Sequence, residues 1–430
     1  MDRAKKRNLL TLAFLVLIIV LTFVIGIFVR GYRLDPDNRS LRPTGILSAT
    51  STPEGAQVWL NGKLKTATDQ TIVLSPDEYQ IEIKKPGFTT WEKTIIIEKE
   101  IVAETNAYLF PIAPDLKALT FTGAERPQIS PDGTKLVYFV TSEEEQEKDN
   151  ITPSPDTSAK TETEATVAAL PKETKIGLWL INLTERPLGQ SFQARVLVKL
   201  TTDFDFKNIS IQWSPDSRKI IMINPNSEES KSYFLLDVNQ SYDFTTPPLI
   251  SEKETQALKT LAEWEEQEIL NFQSLFDRLP EKLQDNLNDS AANLSFSPDE
   301  LKILYQAKKD FSLPEKLISK QIIGASTQKE ARQPKADSWY VYDTKEDKNF
   351  LVLEDKDIKI SWFPTSRHLL LIREATSIEI AEYDGHNRTT IYSGPFENGY
   401  VHPFPSGKQL LILTSLNNSR SPDLYSISLE

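Results

Sequence analysis

Five proline-centred turns, each followed at once by consecutive apolar residues, recur from residue 126 onward. Pro131-Asp-Gly-Thr-Lys135 leads into Leu136-Val-Tyr, Pro215-Asp-Ser-Arg-Lys219 into Ile220-Ile-Met, and Pro298-Asp-Glu-Leu-Lys302 into Ile303-Leu-Tyr. Pro364-Thr-Ser-Arg-His368 and Pro405-Ser-Gly-Lys-Gln409 lead into Leu369-Leu-Leu and Leu410-Leu-Ile. Proline sets the first φ of a tight turn, and Asp, Ser or Gly supports the next positions. Each copy therefore predicts a hairpin. The returning strand is apolar at consecutive positions rather than alternate ones, so it expects cover on both faces.

A β-propeller supplies that cover, because every blade is sandwiched between two others. The last spacing, Pro364 to Pro405, fits a blade of roughly 40–45 residues without insertions, and the earlier spacings carry extra sequence. Outer strands stand between the turns, among them Leu178–Leu183, Tyr233–Leu236, Trp339–Tyr342 and Leu424–Ile427. Only that last strand follows the fifth hairpin, leaving its blade one strand short. Residues 116–122 precede the first hairpin and are expected to complete it and close the ring. Five blades are favoured over six. The repeat resembles the TolB-type and related WD-like propeller repeats, whose signature is the Ser-Pro-Asp-Gly turn. Ser130–Gly133 matches it in full, while Thr365 and Ser406 replace its Asp in the fourth and fifth copies.

Near the N-terminus, Leu9 to Val29 is free of charge. At about 1.5 Å per residue such a helix spans a hydrocarbon core of about 30 Å. The run ends in Ile27-Phe28-Val29-Arg30, without the small residues of a signal-peptide cleavage site. It is expected to be an uncleaved membrane anchor over residues 9–29. The leader, residues 1–8, packs Arg3, Lys5, Lys6 and Arg7 close together, which favours a cytoplasmic N-terminus. The rest of the chain would then lie outside the cytoplasm as a single-pass plasma membrane protein of the cell envelope. Residues 30–44 read as a linker, since Asp35, Pro36, Asp37, Asn38 and Pro43 are turn-formers.

Residues 45–110 carry short apolar runs separated by Pro53-Glu-Gly55, Asn61-Gly62, Ser75-Pro-Asp77 and Pro86-Gly87. Asn-Gly after a strand is a strong tight-turn signal, and the region predicts a small antiparallel β-sandwich. The string Thr52-Pro53-Glu54-Gly55-Ala56 with Val58, Leu60, Asn61 and Gly62 resembles the PEGA domain, and Tyr79–Ile83 and Pro86–Phe88 continue the likeness. The resemblance implies a surface-associated module of bacteria and archaea that serves as a spacer or adhesion unit, with no catalytic residues. Glu54 is read as a turn residue.

Two stretches interrupt the propeller. Residues 142–175 are rich in Glu, Thr, Ser, Pro and Lys and are expected to be a disordered loop. Residues 252–289 place Leu258, Leu261, Ile269, Phe272, Phe276 and Leu279 at helical spacing, with Pro280 starting a second helix. These insertions hold nearly all of the net charge of −12. The acidic balance still argues against nucleic acid, which requires a basic face.

Chemistry has little material here. The chain has no Cys and only three His, namely His368, His386 and His402. There is no Gly-x-Ser-x-Gly elbow, no Walker A loop and no His-Glu-x-x-His pair. Asp132, Asp216 and Asp299 form a repeated set of carboxylates, but each occupies the same turn and is read as structural. His402 has no acidic or His neighbour in sequence. No catalytic, cofactor or metal residue is assigned. The expectation is a non-enzymatic all-β binding or scaffold protein whose propeller recognises a protein, a peptide or a cell-surface glycan. The alternative is a glycosidase-like propeller hydrolase with scattered carboxylates. It requires two of them roughly 5–10 Å apart in a central pocket.

Overall fold

The computed structural model describes residues 3–29, 32–35, 40–141, 176–184, 192–201, 204, 206–225, 230–245, 251–318, 328–355, 358–373, 377–397, 399–416 and 421–430. The expected loop at 142–175 lies outside the described residues.

Helix α1, Arg3–Val29, carries the apolar run, and its described side chains, residues 11–26, are all exposed. No helix among the described residues is long and apolar enough to cross a membrane. Residues 30–44, read as a linker, hold a two-stranded antiparallel hairpin, Tyr32–Asp35 with Ser40–Pro43.

The sandwich at 45–110 has two sheets. In one, Gly45–Thr52 lies between Gln70–Leu74 and Val102–Tyr108. In the other the order is Lys63–Ala67, Gln57–Leu60, Asp77–Lys84, Trp91–Ile97. Residues alternate in burial along Gly45–Thr52, as a half-buried strand requires. Leu47, Ala49, Val58, Leu60, Ile81, Ile83, Trp91 and Ile97 fill the space between the sheets. Asn61 and Gly62 both have positive φ, 48° and 73°, which is what a tight hairpin turn demands. One detail departs from the sequence reading. Gly45–Thr52 pairs in parallel with Val102–Tyr108, so the sandwich is mixed rather than purely antiparallel. The two strands are joined through the whole domain, and a connection of that length lets them run the same way.

Five more sheets follow among the described residues. Each begins with the proline-turn hairpin. Sheet I contains Glu125–Ile129, Lys135–Val140, Gly177–Asn182 and Ala194–Lys199, with Tyr242–Asp243 added in parallel at its edge. Sheet II contains Ser210–Trp213, Lys219–Pro225 and Lys231–Asp237. Sheet III contains Ala291–Phe296, Lys302–Ala307, Trp339–Asp343 and Lys348–Leu353. Sheet IV contains Lys359–Trp362, His368–Arg373, Ser377–Glu382 and Thr389–Ser393. Sheet V contains Val401–Pro403, Gln409–Thr414 and Asp423–Ser428, with Leu116–Ala118 as its outermost strand.

The consecutive apolar residues now have their physical reason. In sheet I, Val137 and Phe139 face sheet II and pack with Ile211, Ile220 and Met222. Leu136, Tyr138 and Val140 on the same strand face sheet V and pack with Leu411, Leu413 and Leu424. Sheets III and IV share a core in the same way, as do sheets IV and V. The last sheet is completed as the sequence anticipates. Leu116 pairs with Ile427, Lys117 with Ser426 and Ala118 with Tyr425. Leu119 N donates to Leu424 O at 2.8 Å, and Thr120 Oγ1 donates to Asp423 Oδ1 at 2.8 Å. This all-β, propeller-like arrangement joins the beginning of the repeat region to its end.

Helices α2, Glu254–Phe276, and α3, Glu281–Ser290, stand between sheets II and III. Pro280 caps the start of α3. Ala257 packs with Ile221 and Tyr233 of sheet II, with Leu261 and Trp264 beside them. Phe276, Leu279, Leu283 and Leu287 pack on Ile303, Tyr305, Tyr340 and Tyr342 of sheet III. Among the described residues no core cluster joins sheets II and III directly, so the helical insertion acts as a wedge. Its packing differs from a simple amphipathic fit, because Leu258, Ile269 and Phe272 of the expected apolar face remain exposed.

Candidate functional site

The five turns share one geometry. Gly133, Ser217, Glu300, Ser366 and Gly407 all have positive φ, between 57° and 72°, at the same place in the turn. In sheet I, Asp132 Oδ1 accepts from Ser130 Oγ at 2.5 Å, Thr134 N at 2.9 Å and Thr134 Oγ1 at 2.8 Å. Asp216 accepts from Ser214 Oγ at 2.6 Å and Asp299 from Ser297 Oγ at 2.5 Å. Burial works to raise the Asp132 carboxyl. The Ser130 and Thr134 hydrogen bonds, with the Lys135 charge, outweigh it and hold the group down at about 2. These three carboxylates are thus engaged in their own turns. Two of the turns also reach the next sheet, since Asp132 N donates to Ser217 Oγ at 3.1 Å and Asp299 N to Ser366 Oγ at 2.9 Å. A serine that accepts such a bond offsets the strain of its left-handed backbone.

Sheets IV and V break the pattern at the same positions. Thr365 and Ser406 stand for Asp, Phe363 and Phe404 for Ser, and His368 and Gln409 for Lys. These are the turns that the sandwich domain covers. Its Tyr108 and Phe110 rings lie edge-on to the His368 ring, each with centroids 5.6 Å apart. Tyr108 Oη donates to Gly407 O at 3.4 Å. Phe110 enters the core that sheets IV and V share. Thr365 Oγ1 lies 2.9 Å from His368 Nδ1, a contact that Asp and Lys at these positions would replace with two charges under aromatic rings.

A charged lock lies beside this aromatic contact. Lys93 Nζ sits 2.5 Å from Glu382 Oε2 and 2.7 Å from Asp384 Oδ2. Trp91 Nε1 also donates to Glu382. Glu92 N donates to Asn387 Oδ1 at 3.0 Å, and Asn387 Nδ2 donates to Glu382 Oε1 at 3.2 Å. Lys93 reaches over the Tyr383 ring, and Lys302 of sheet III approaches the same ring at 5.0 Å. Burial tends to lower the Lys93 ammonium, but Glu382 and Asp384 outweigh it and the net shift is upward. For a buried pair the lock is essential rather than generous, because removing one partner strands the other and costs about 3–5 kcal/mol.

Two histidines, His368 and His402, are held neutral. Burial first, then the Arg367 and Lys93 charges, push His368 down to about 3. Burial, then Lys359, pushes His402 down to about 4, and the His402 ring lies 4.7 Å from Tyr400. Burial and the nearby Glu430 raise Tyr108 to about 12. Of the residues singled out in sequence, Asp132, Asp216 and Asp299 sit in separate turns and His402 lies on the first strand of sheet V. Glu54 offers its carbonyl to Lys85 Nζ at 2.6 Å. The carboxylates brought together, Glu382 and Asp384, were not anticipated, and they share Lys93. Among the described residues no group of three or more His, Cys, Asp or Glu is placed to hold a metal ion.

Residues 44–111 match the PEGA domain family. The PEGA domain therefore supplies Trp91, Lys93, Tyr108 and Phe110 to the interface. No curated protein matches the chain. Among solved structures the chain is similar to a putative TolB from Agrobacterium tumefaciens, at 12% identity and a TM-score of 0.20, covering 72% of this chain and 73% of that one. A TolB from Acinetobacter baumannii shares 10% identity at a TM-score of 0.21, covering 82% of this chain and 60% of that one. The β-propeller domain of the Trilobed protease from Pyrococcus furiosus shares 13% identity at a TM-score of 0.18, covering 90% and 85%.

Proposed function

We propose that this chain is a membrane-anchored, extracytoplasmic binding or scaffold protein without catalysis of its own. Residues 9–29 anchor it, with the N-terminus cytoplasmic. The five sheets are five blades of one ring, with α2 and α3 wedged between blades two and three. The PEGA domain is a rigid support between membrane and propeller, and the propeller is a recognition platform for a protein, a peptide or a surface glycan. The observation that carries this reading is the Lys93–Glu382–Asp384 lock, which ties the PEGA domain to blade four with buried charges. A fixed support under blades four and five leaves the turns of blades one to three uncovered, which suits presentation to a partner. The conserved geometry of those turns is likewise devoted to structure, since each Asp is engaged by its own Ser hydroxyl.

Fractionation of the full-length protein in a bacterial host tests the reading. It should resist alkaline extraction from membranes, and added protease should digest the propeller in intact spheroplasts. Release of full-length protein by alkali, or a propeller protected until the membrane is opened, contradicts the anchor and its orientation.

A further inference from the structure

The wedge helix α2 is gripped at its ends, and its middle is exposed, with the Phe272 ring meeting Phe296 of sheet III at 5.7 Å. Every residue from Glu265 to Ser274 is exposed. Ile269 is 60% exposed and Phe272 37%, and Leu258, one end of the same stripe, is 49% exposed. Single exposed apolar residues are ordinary, but several aligned on one element mark an interaction site. Leu258, Ala262, Glu265, Ile269 and Phe272 follow one another at steps of four, three, four and three. This is the alternation of the two core positions in a two-helix seam.

The seam has two further properties. Its middle position is Glu265, a charge where an apolar residue is usual. Glu263, Glu266 and Glu268 flank it, and Lys259 pairs with Glu263 at 3.6 Å. We propose that α2 docks one basic amphipathic helix of a partner protein, packed along this stripe with a Lys or Arg opposite Glu265. The charges select this occupant. A second copy of α2 would bring glutamates against glutamates across the seam, and like charges facing each other are unfavourable. A single seam charge instead fixes the register of a partner carrying the opposite one, as buried polar seam residues do in coiled coils. The inference rests on the reading of the propeller as a binding platform and names the partner's chemistry.

The test uses the full chain in detergent micelles and two synthetic three-heptad peptides. Both carry Leu at the seam and Lys at the flanking positions, and they differ only at the central seam residue, Arg in one and Glu in the other. The Arg peptide should bind the native chain and the Glu peptide should bind about tenfold or more weakly, one misplaced seam charge being worth at least that factor. Glu265→Lys should reverse the preference. Ile269→Asp should weaken the Arg peptide by about tenfold or more. Both substitutions fall on exposed positions, and an unchanged thermal melt confirms that the fold is intact. Binding of neither peptide overturns the proposal, as does a preference that Glu265→Lys leaves unaltered. Self-association of the chain that Ile269→Asp abolishes overturns it in favour of a second copy. Loss of membrane anchoring in the fractionation would sink the wider reading while leaving these affinities as measured, so the two failures are distinguishable.

Discussion

The turns of sheets I–III and those of sheets IV–V descend from one pattern and differ in what covers them. The first three expose an Asp that takes the hydroxyl of its own buried Ser, beside a Lys. The last two lie against the PEGA domain and have exchanged those groups for Thr or Ser, Phe, and His or Gln. An exposed turn can satisfy its backbone with a carboxylate that water also solvates. At the turn of sheet IV, where Thr365 is half-buried, such a carboxylate would lose part of its water, and burying an unpaired charge is costly, whereas Ser406 of sheet V stays exposed. What looks like decay of a repeat in sheet IV is therefore fitted to a docked domain, and beside it Lys93 meets Glu382 and Asp384 together.

The lock should show the largest effect. Lys93→Ala leaves two buried carboxylates without their cation and should cost about 3–5 kcal/mol. Its loss should fall on domain docking, so the PEGA domain should become susceptible to limited proteolysis while the sheets keep their own protection. Equal loss of protection throughout would mean that the contact supports the whole fold rather than the docking.

Acid should weaken sheets IV and V next. His368 and His402 are neutral in the folded chain with pKa values of about 3 and about 4, against about 6.5 when unfolded. Between those values the unfolded chain binds more protons, so stability is fully present above pH 6.5 and falls as the pH drops toward 3. Each such histidine contributes a slope approaching about 1.4 kcal/mol per pH unit in that window. Thermal melts between pH 7.5 and 5 should show the decline, and His368→Gln should make it shallower. An identical slope in that variant would place the acid sensitivity elsewhere.

The open turns should respond more mildly. Asp132→Ala removes one acceptor from a solvated turn and should cost about 1 kcal/mol without disturbing the PEGA domain. Ser217→Gly should come close to neutral, within about 0.5 kcal/mol. It loses the bond from Asp132 N but relieves a left-handed backbone that glycine adopts freely. Denaturant melts resolve the first from the second. A Ser217→Gly loss as large as that of Asp132→Ala would show that the bond between sheets matters more than the strain it offsets.

Local features were legible in the sequence. The Asn61-Gly62 turn, the helix start at Pro280 and the hairpins all follow from a few adjacent residues. The pairing of residues 116–118 with 425–427 was legible because the fifth hairpin lacked a strand and an unassigned one remained. The docking was not. Lys93 and Glu382 are 289 residues apart, and no spacing rule connects them. The only trace was the loss of Asp at residues 365 and 406, whose meaning requires knowing what lies above those turns. The parallel pairing within the PEGA domain and the wedge position of α2 were hidden for a similar reason. Periodicity says that a face is apolar, not which surface meets it.

The PEGA domain and the propeller form one body through the contacts at sheets IV and V. Because the chain has no cysteine, Lys65→Cys in the PEGA domain and Arg218→Cys in sheet II can carry spin labels without background. The dipolar distance distribution between them should be single and narrow in the otherwise native chain, and should broaden when Lys93→Ala is added. A broad distribution before Lys93 is touched would contradict the claim, because the two domains would then move independently.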